Sequence, residues 1–242
     1  MSSTLEGQTV VLIGGSAGMG YETARLARQE GADVILTGRN PERLERAGTE
    51  LGAISTAAFD ASDFDRLAQF FADLPGPIDH VLVTAGGPYY GPLADIDFDE
   101  AQRDVDQHLW LPIHLARNAV GRVRPGGTLL FVGGTGGRRP GPGMFLAGAM
   151  TAALPALVAN LAIEIAPVRV NVIAPGFVDT GLSAAILGDA LEARRDELRS
   201  TLPIGRVVGP ADVAALAVHL MANTALTGAT YDIDGGQQLV AG

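Results

Sequence analysis

Thr9-Val10-Val11-Leu12-Ile13-Gly14-Gly15-Ser16-Ala17-Gly18-Met19-Gly20 is the stretch on which the fold turns. Its first five residues make a short apolar run of the kind that parallel strands show when both faces are covered. The run leads straight into a glycine-rich loop, and a helical pattern follows from Tyr21 to Glu30 with alanine and leucine inward. Glycine does three things there. It allows the tight turn, lets backbone N–H groups approach an anion with no Cβ in the way, and permits close packing of helix on strand. The helix N-terminus then faces the anion. In this position the loop reads as the cradle of a dinucleotide pyrophosphate, with Gly14, Ser16, Gly18, Met19 and Gly20 as its contacts.

Outward from that loop, apolar runs recur at Val34–Thr37, His80–Thr84, Thr128–Val132 and Arg169–Ala174, separated by segments of helical period. The helices carry start signals: Asn40 before Pro41, Ser62 with Asp65 three residues on, and Gly209-Pro210 ahead of Ala211–Met221. Alternating strand and helix predicts a doubly wound parallel α/β sheet joined by right-handed crossovers, with ligands at the carboxyl ends of its strands. A chain of 242 residues that is 47% apolar, with no repeat or linker, fits one domain.

At the end of the second strand, where a dinucleotide site usually carries an acid for the ribose 2′-hydroxyl, the chain reads Thr37-Gly38-Arg39. An arginine there suits a 2′-phosphate through charge and a forked donor pair, so NADP(H) is favoured over NAD(H). Asp60, closing a further apolar run, is placed to accept from the adenine amine. Composition narrows the rest. There is no cysteine, which excludes disulfides, thiolate metal ligands and a cysteine nucleophile, and no metal site is expected. The net charge of −10 argues against nucleic acid and anionic lipid. The polar start and the lack of an unbroken run of roughly 20 apolar residues argue against secretion and membrane insertion, so a cytoplasmic protein is expected.

Taken together, these motifs resemble the short-chain dehydrogenase/reductase family, whose glycine loop has the spacing of Gly14, Gly18 and Gly20, on the Rossmann fold. The likeness runs through Ala85-Gly86, Leu161-Ala162-Ile163-Glu164, Arg169-Val170-Asn171, Pro175-Gly176 and Asp234-Gly235-Gly236. The resemblance implies that Ala85 and Gly86 border the cofactor, that Pro175, Gly176 and Thr180 hold the nicotinamide carboxamide, and that Val178 lies beside it. It also implies an active site of Asn, Ser, Tyr and Lys, whose places fall on His108, Gly134, Ala147 and Thr151. The chain has no lysine, all 17 basic residues being arginine, and no tyrosine between Tyr90 and Tyr231.

The family's usual proton donor is therefore expected to be missing. General acid catalysis is worth about 3 to 5.5 kcal/mol, whereas positioning supplies about 7 to 11, so a pocket that holds nicotinamide against an activated substrate still has chemistry available. His108 is the candidate proton donor, since imidazole titrates near neutrality. Tyr89, Tyr90, Thr135 and Ala147 are expected to line the substrate pocket, and Thr151 to reach a cofactor ribose hydroxyl. Arg138-Arg139 reads as a solvated pair, or as an attractor for an anionic substrate. Residues 181–201 are expected to roof the pocket. The expected function is an atypical NADP(H)-dependent oxidoreductase acting on a small-molecule carbonyl, enone or imine. Alternatives are a non-catalytic NADP(H)-binding sensor or partner protein, and a lyase or isomerase. By the resemblance, a homo-oligomer, dimer or tetramer, forms through the helices near Phe98–Val120 and Leu154–Ala166.

Overall fold

Seven parallel strands form one sheet in the order β3-β2-β1-β4-β5-β6-β7 in the computed structural model, which describes residues 4–240. They are β1 (Thr9–Ile13), β2 (Asp33–Gly38), β3 (Ser55–Ala58), β4 (Ile78–Val83), β5 (Val123–Val132), β6 (Arg169–Pro175) and β7 (Thr230–Ile233). The five inner strands account for the runs that begin at Thr9, Val34, His80, Thr128 and Arg169, and the shorter run that Asp60 closes falls at β3. β3 and β7 carry weaker patterns because each is an edge strand with one neighbour and a half-exposed surface, so neither needs continuous apolar residues. The order reverses at β1 and β4, and their carboxyl ends open the crevice expected of a doubly wound sheet.

Successive residues of a strand point to opposite faces, and the two faces have separate cores. Val11, Ile13, Val81, Leu129 and Phe131 pack against α3 (Phe64–Asp73), α5 (Leu111–Ala119) and α6 (Phe145–Glu164). Val10, Leu12, Leu36, Leu82 and Leu130 pack against α1 (Gly18–Gln29), α2 (Pro41–Leu51) and α9 (Pro210–Ala222). The layers make a single α/β domain. Between β4 and β5, α4 (Phe98–Val105) continues through a π-helical turn at Asp106–Trp110 into α5. Pro112 explains the turn: it lacks the N–H that would bond to the His108 carbonyl, so the regular ladder breaks there.

Three details differ from the expected pattern. α3 is capped by Asp63, whose carboxylate accepts from the Arg66 N–H at 3.0 Å, and not by Ser62. The Ser62 N–H is instead turned onto Asp60. Secondly, α6 has 20 residues, a mean hydropathy of 1.8 and little buried surface, so it is long and apolar enough to cross a bilayer by length and composition. Gly148, Thr151, Pro155 and Asn160 interrupt the run and hide this in the sequence, while Leu154 and Val158 tie the helix to the sheet. Thirdly, Arg169 is no ordinary strand start. Its buried guanidinium donates to the carbonyls of Gly126, Leu220, Met221, Asn223 and Leu226 at 2.7 to 3.1 Å, closing the C-terminal end of α9.

Candidate active site

Two cavities meet at the carboxyl ends of β1 and β4. The first, of about 400 Å³, is lined by the glycine loop, by Thr37, Gly38, Arg39 and Arg43 after β2, and by Phe59–Ser62 after β3. The second, of about 830 Å³, lies beyond β4, β5 and β6. They share Met19, Thr84, Ala85, Gly86, Thr180 and Leu182, so one trough runs from the β2 end to the Pro175-Gly176 turn.

The glycine loop is built as its sequence requires. Gly14 has φ +102°, and a Cβ there would meet Ala85 N at 2.7 Å. A Cβ on Gly20 would meet Gly14 O at 2.3 Å. Gly20 therefore does not line the trough; it is the glycine of close helix-to-strand packing. Helix α1 starts at Gly18 with no side-chain cap, which leaves its first-turn N–H groups beside the trough wall of Ala17, Gly18 and Met19. Thr84 Oγ1 donates to Gly14 O at 3.0 Å and pins the loop to β4. Neither the Arg39 nor the Arg43 guanidinium has a hydrogen-bond or carboxylate partner among the described residues. Arg43, four residues past Arg39 in the first turn of α2, was not expected at the site; the spacing was its only signal. Ser62 also lines the trough, its buried Oγ without a partner.

The second cavity has His108 on its wall, in the π-helical turn. Its Nδ1 lies 3.0 Å from the Asp104 carbonyl and pairs with the Asp104 carboxylate. That carboxylate is 1% exposed, and its other oxygen accepts from the Tyr89 N–H at 3.2 Å. His108 Nε2 would be 3.6 Å from a Cβ on Gly86, so it borders the shared part of the trough. Asp104 precedes His108 by one helical turn, an i,i+4 spacing legible in the sequence but not read there. Beside them, Gln107 Oε1 accepts from Gly87 N–H at 3.0 Å.

Pro175, Gly176, Val178 and Thr180 all line the second cavity. Gln237 Oε1 accepts from Phe177 N–H at 2.8 Å and holds the turn from behind. Above it stand α7 (Gly181–Leu187) and α8 (Leu191–Thr201). A reciprocal cap between Thr180 and Ser183 starts α7, and Arg195 ties α8 to Asp179 at 2.6 Å.

Several expected residues fall elsewhere. Of the two tyrosines, Tyr90 lines the cavity, and burial, with the Asp104 carboxylate second, pushes its phenol above the usual value. Tyr89 is turned inward: its hydroxyl accepts from Asp97 N–H and its ring meets the edge of Phe145. Thr135 and Ala147 are buried and line neither cavity. Thr151 lines neither as well, because its hydroxyl donates back to the Ala147 and Gly148 carbonyls of its own helix. Arg138 and Arg139 are also engaged, the first bidentately with Asp232 and the second with the Gln237 carbonyl.

Comparison with known proteins agrees with this architecture. Residues 14–238 match the family model described as enoyl-(acyl carrier protein) reductase. The chain belongs to the short-chain dehydrogenase/reductase family, and several of its relatives are named dehydrogenase/reductases. It superposes on MalC reductase/Diels-Alderase from Malbranchea aurantiaca with a TM-score of 0.90 at 28% identity, covering 98% of this chain and 99% of that one. The structure of BdcA in complex with NADPH superposes with a TM-score of 0.86 at 29% identity, over 96% and 95% of the two chains. A relative named cyclic-di-GMP-binding biofilm dispersal mediator protein, from Escherichia coli strain K12, is 31% identical over 95% of this chain and 96% of its own.

Proposed function

We propose that this protein is an atypical NADP(H)-dependent oxidoreductase that moves hydride between the nicotinamide and a small carbonyl, enone or imine-type substrate. The observation that carries this reading is the trough itself, continuous from two unpaired arginines to a second chamber with an imidazole nitrogen on its wall. The residues fit the cofactor. Gly14 and Gly18 leave room for a pyrophosphate beside the uncapped N–H groups of α1. Arg39 and Arg43 suit a 2′-phosphate. Asp60 and the unpartnered Ser62 Oγ suit the adenine edge, and the Pro175-Gly176 turn with Thr180 the carboxamide.

When bound, NADPH supplies a hydride to an electrophilic carbon. The chain's own task is then to deliver a proton. Ala147 and Thr151 stand where the family has tyrosine and lysine, so that couple is missing, and we assign the proton to His108 Nε2. Asp104 fixes the ring by accepting at Nδ1 and balances the charge of the imidazolium, an orienting role that a buried carboxylate commonly plays for histidine. Proton donation of this kind is worth about 10² to 10⁴ in rate.

NADPH fluorescence should change on mixing, with NADH binding more weakly, and a panel of ketones, enones and cyclic imines should show turnover. Equal affinity for both cofactors would remove the phosphate assignment; no turnover with any substrate would remove the oxidoreductase. Non-catalytic binding is a second reading, favoured by the name of the 31% identical relative, and calorimetry with cyclic-di-GMP tests it.

We also propose that α6 and the α4–α5 helix meet a second copy of the chain, since Phe98, Trp110, Phe145 and Ile163 expose large apolar surfaces on them. Light scattering reporting a 25 kDa particle would reject this.

A further inference from the structure

The chamber beyond the Pro175-Gly176 turn has one permanent charge that its surroundings leave partly unused. Among the described residues, Arg194, on α8, is the one arginine on its wall, and no carboxylate side chain lines it. The Arg194 side chain is 32% exposed. Its Nη1 donates to Glu197 Oε2 at 2.7 Å, while Nε and Nη2 have no hydrogen-bond partner among the described residues. The neighbouring hydroxyls are occupied: Thr180 and Ser183 cap α7 and each other, and Thr84 serves the glycine loop. Apart from His108 and Tyr90, the rest of the wall is mainly apolar, with Pro88, Pro142, Met144, Phe177 and Ile186 among its members.

An apolar chamber with half a guanidinium fork open selects one kind of molecule. We propose that Arg194 is a specificity-determining residue, and that the substrate has an apolar body bearing a carboxylate or comparable small anion which pairs with Nε and Nη2. A planar fork matches a carboxylate through two parallel hydrogen bonds, and partial exclusion of water strengthens them. Glu197 holds the arginine in place but opposes the ligand's charge. Arg138 and Arg139 do not compete for this role, being engaged by Asp232 and Gln237. The inference rests on the oxidoreductase reading only for placing the substrate in this chamber.

The test is a calorimetric titration of the NADPH-loaded protein with 4-phenylbutanoate and with its neutral isostere 4-phenylbutanamide. The carboxylate should bind about tenfold more tightly, the lower end of what a charge-assisted hydrogen bond contributes. Arg194→Gln should bring the two to equality without changing NADPH affinity, and Glu197→Gln should widen the wild-type ratio. The assignment is overturned if the amide binds as tightly as the acid, if Arg194→Gln leaves the ratio unaltered, or if neither probe binds at millimolar concentration. Because the readout is binding alone, the two readings fail separately. A carboxylate preference in a protein that oxidises no NADPH with any substrate would remove the oxidoreductase and leave the anion subsite. Turnover of neutral ketones with no difference between acid and amide would remove the subsite only.

Discussion

His80→Leu should flatten the acid side of the stability profile. His80 lies in β4, 3% exposed, with Nε2 2.5 Å from Gln8 Oε1 and Nδ1 buried without a partner. Burial is the main cause that pushes its pKa from 6.5 down to about 4; Arg169 acts in the same direction and Asp79 against it. Above pH 6.5 the ring is neutral in both folded and unfolded chains and adds no pH dependence. Between 6.5 and 4 the unfolded chain takes up a proton that the native chain refuses, so stability falls as the pH falls, by about 1.4 kcal/mol per unit. Below 4 the loss levels off at about 3 kcal/mol. Urea unfolding of wild type and His80→Leu at pH 7.5 and pH 5.0 isolates the effect, since every other titrating group is common to both. The wild type should lose about 2 kcal/mol more than the variant over that interval. Equal losses would mean that the buried ring is already charged or solvated, and the reasoning would fail.

Three other outcomes are expected. Gly20→Ala should destabilise the protein by 2 kcal/mol or more and weaken NADPH binding, because the new methyl would press on Gly14 O at 2.3 Å and Thr84 Oγ1 at 2.6 Å; chemical denaturation with a fluorescence titration reads both. Replacing Arg39 and Arg43 together by Ala should abolish the preference for NADPH over NADH, and a preference that survives would place the 2′-phosphate elsewhere. His108→Gln should lower kcat for the reduction by about 10² or more with NADPH affinity intact, and Asp104→Asn should lower kcat in the same direction but by less; a flat response in both would leave the proton to water.

The fold was legible where burial on both faces forces continuous apolar strands, as at Val10–Ile13 and Val34–Leu36, and where a glycine has a local steric reason, as at Gly14. β7 was not, and β3 showed only as the short run that Asp60 closes, because an edge strand satisfies its single neighbour with Ser55-Thr56 or Thr230-Tyr231 and needs no periodic pattern. The same divide runs through the site. Loop positions beside the nucleotide trough are dictated by their own backbone and could be read one by one. Whether Tyr89 or Tyr90 turns inward is decided by Phe145 and Asp97, and whether Thr151 reaches the trough by the carbonyls of its own helix. Those are long-range or rotamer choices with no signature in spacing. Asp104 was an omission of another kind, since its distance of one helical turn from His108 was in view.

The guanidinium of Arg169 has a consequence for how the molecule would come apart in acid. Its partners are five peptide oxygens with no carboxylate among them, and protons at moderate pH neutralise carboxylates but leave amide carbonyls as they are. Ion pairs such as Arg138 with Asp232, or Arg206 with Asp212, hold their carboxyls below the usual range and come apart once acid protonates them. The junction of β6, β5 and the end of α9 has no such fuse. Acid should therefore release those carboxylate ties before it reaches the contacts of Arg169.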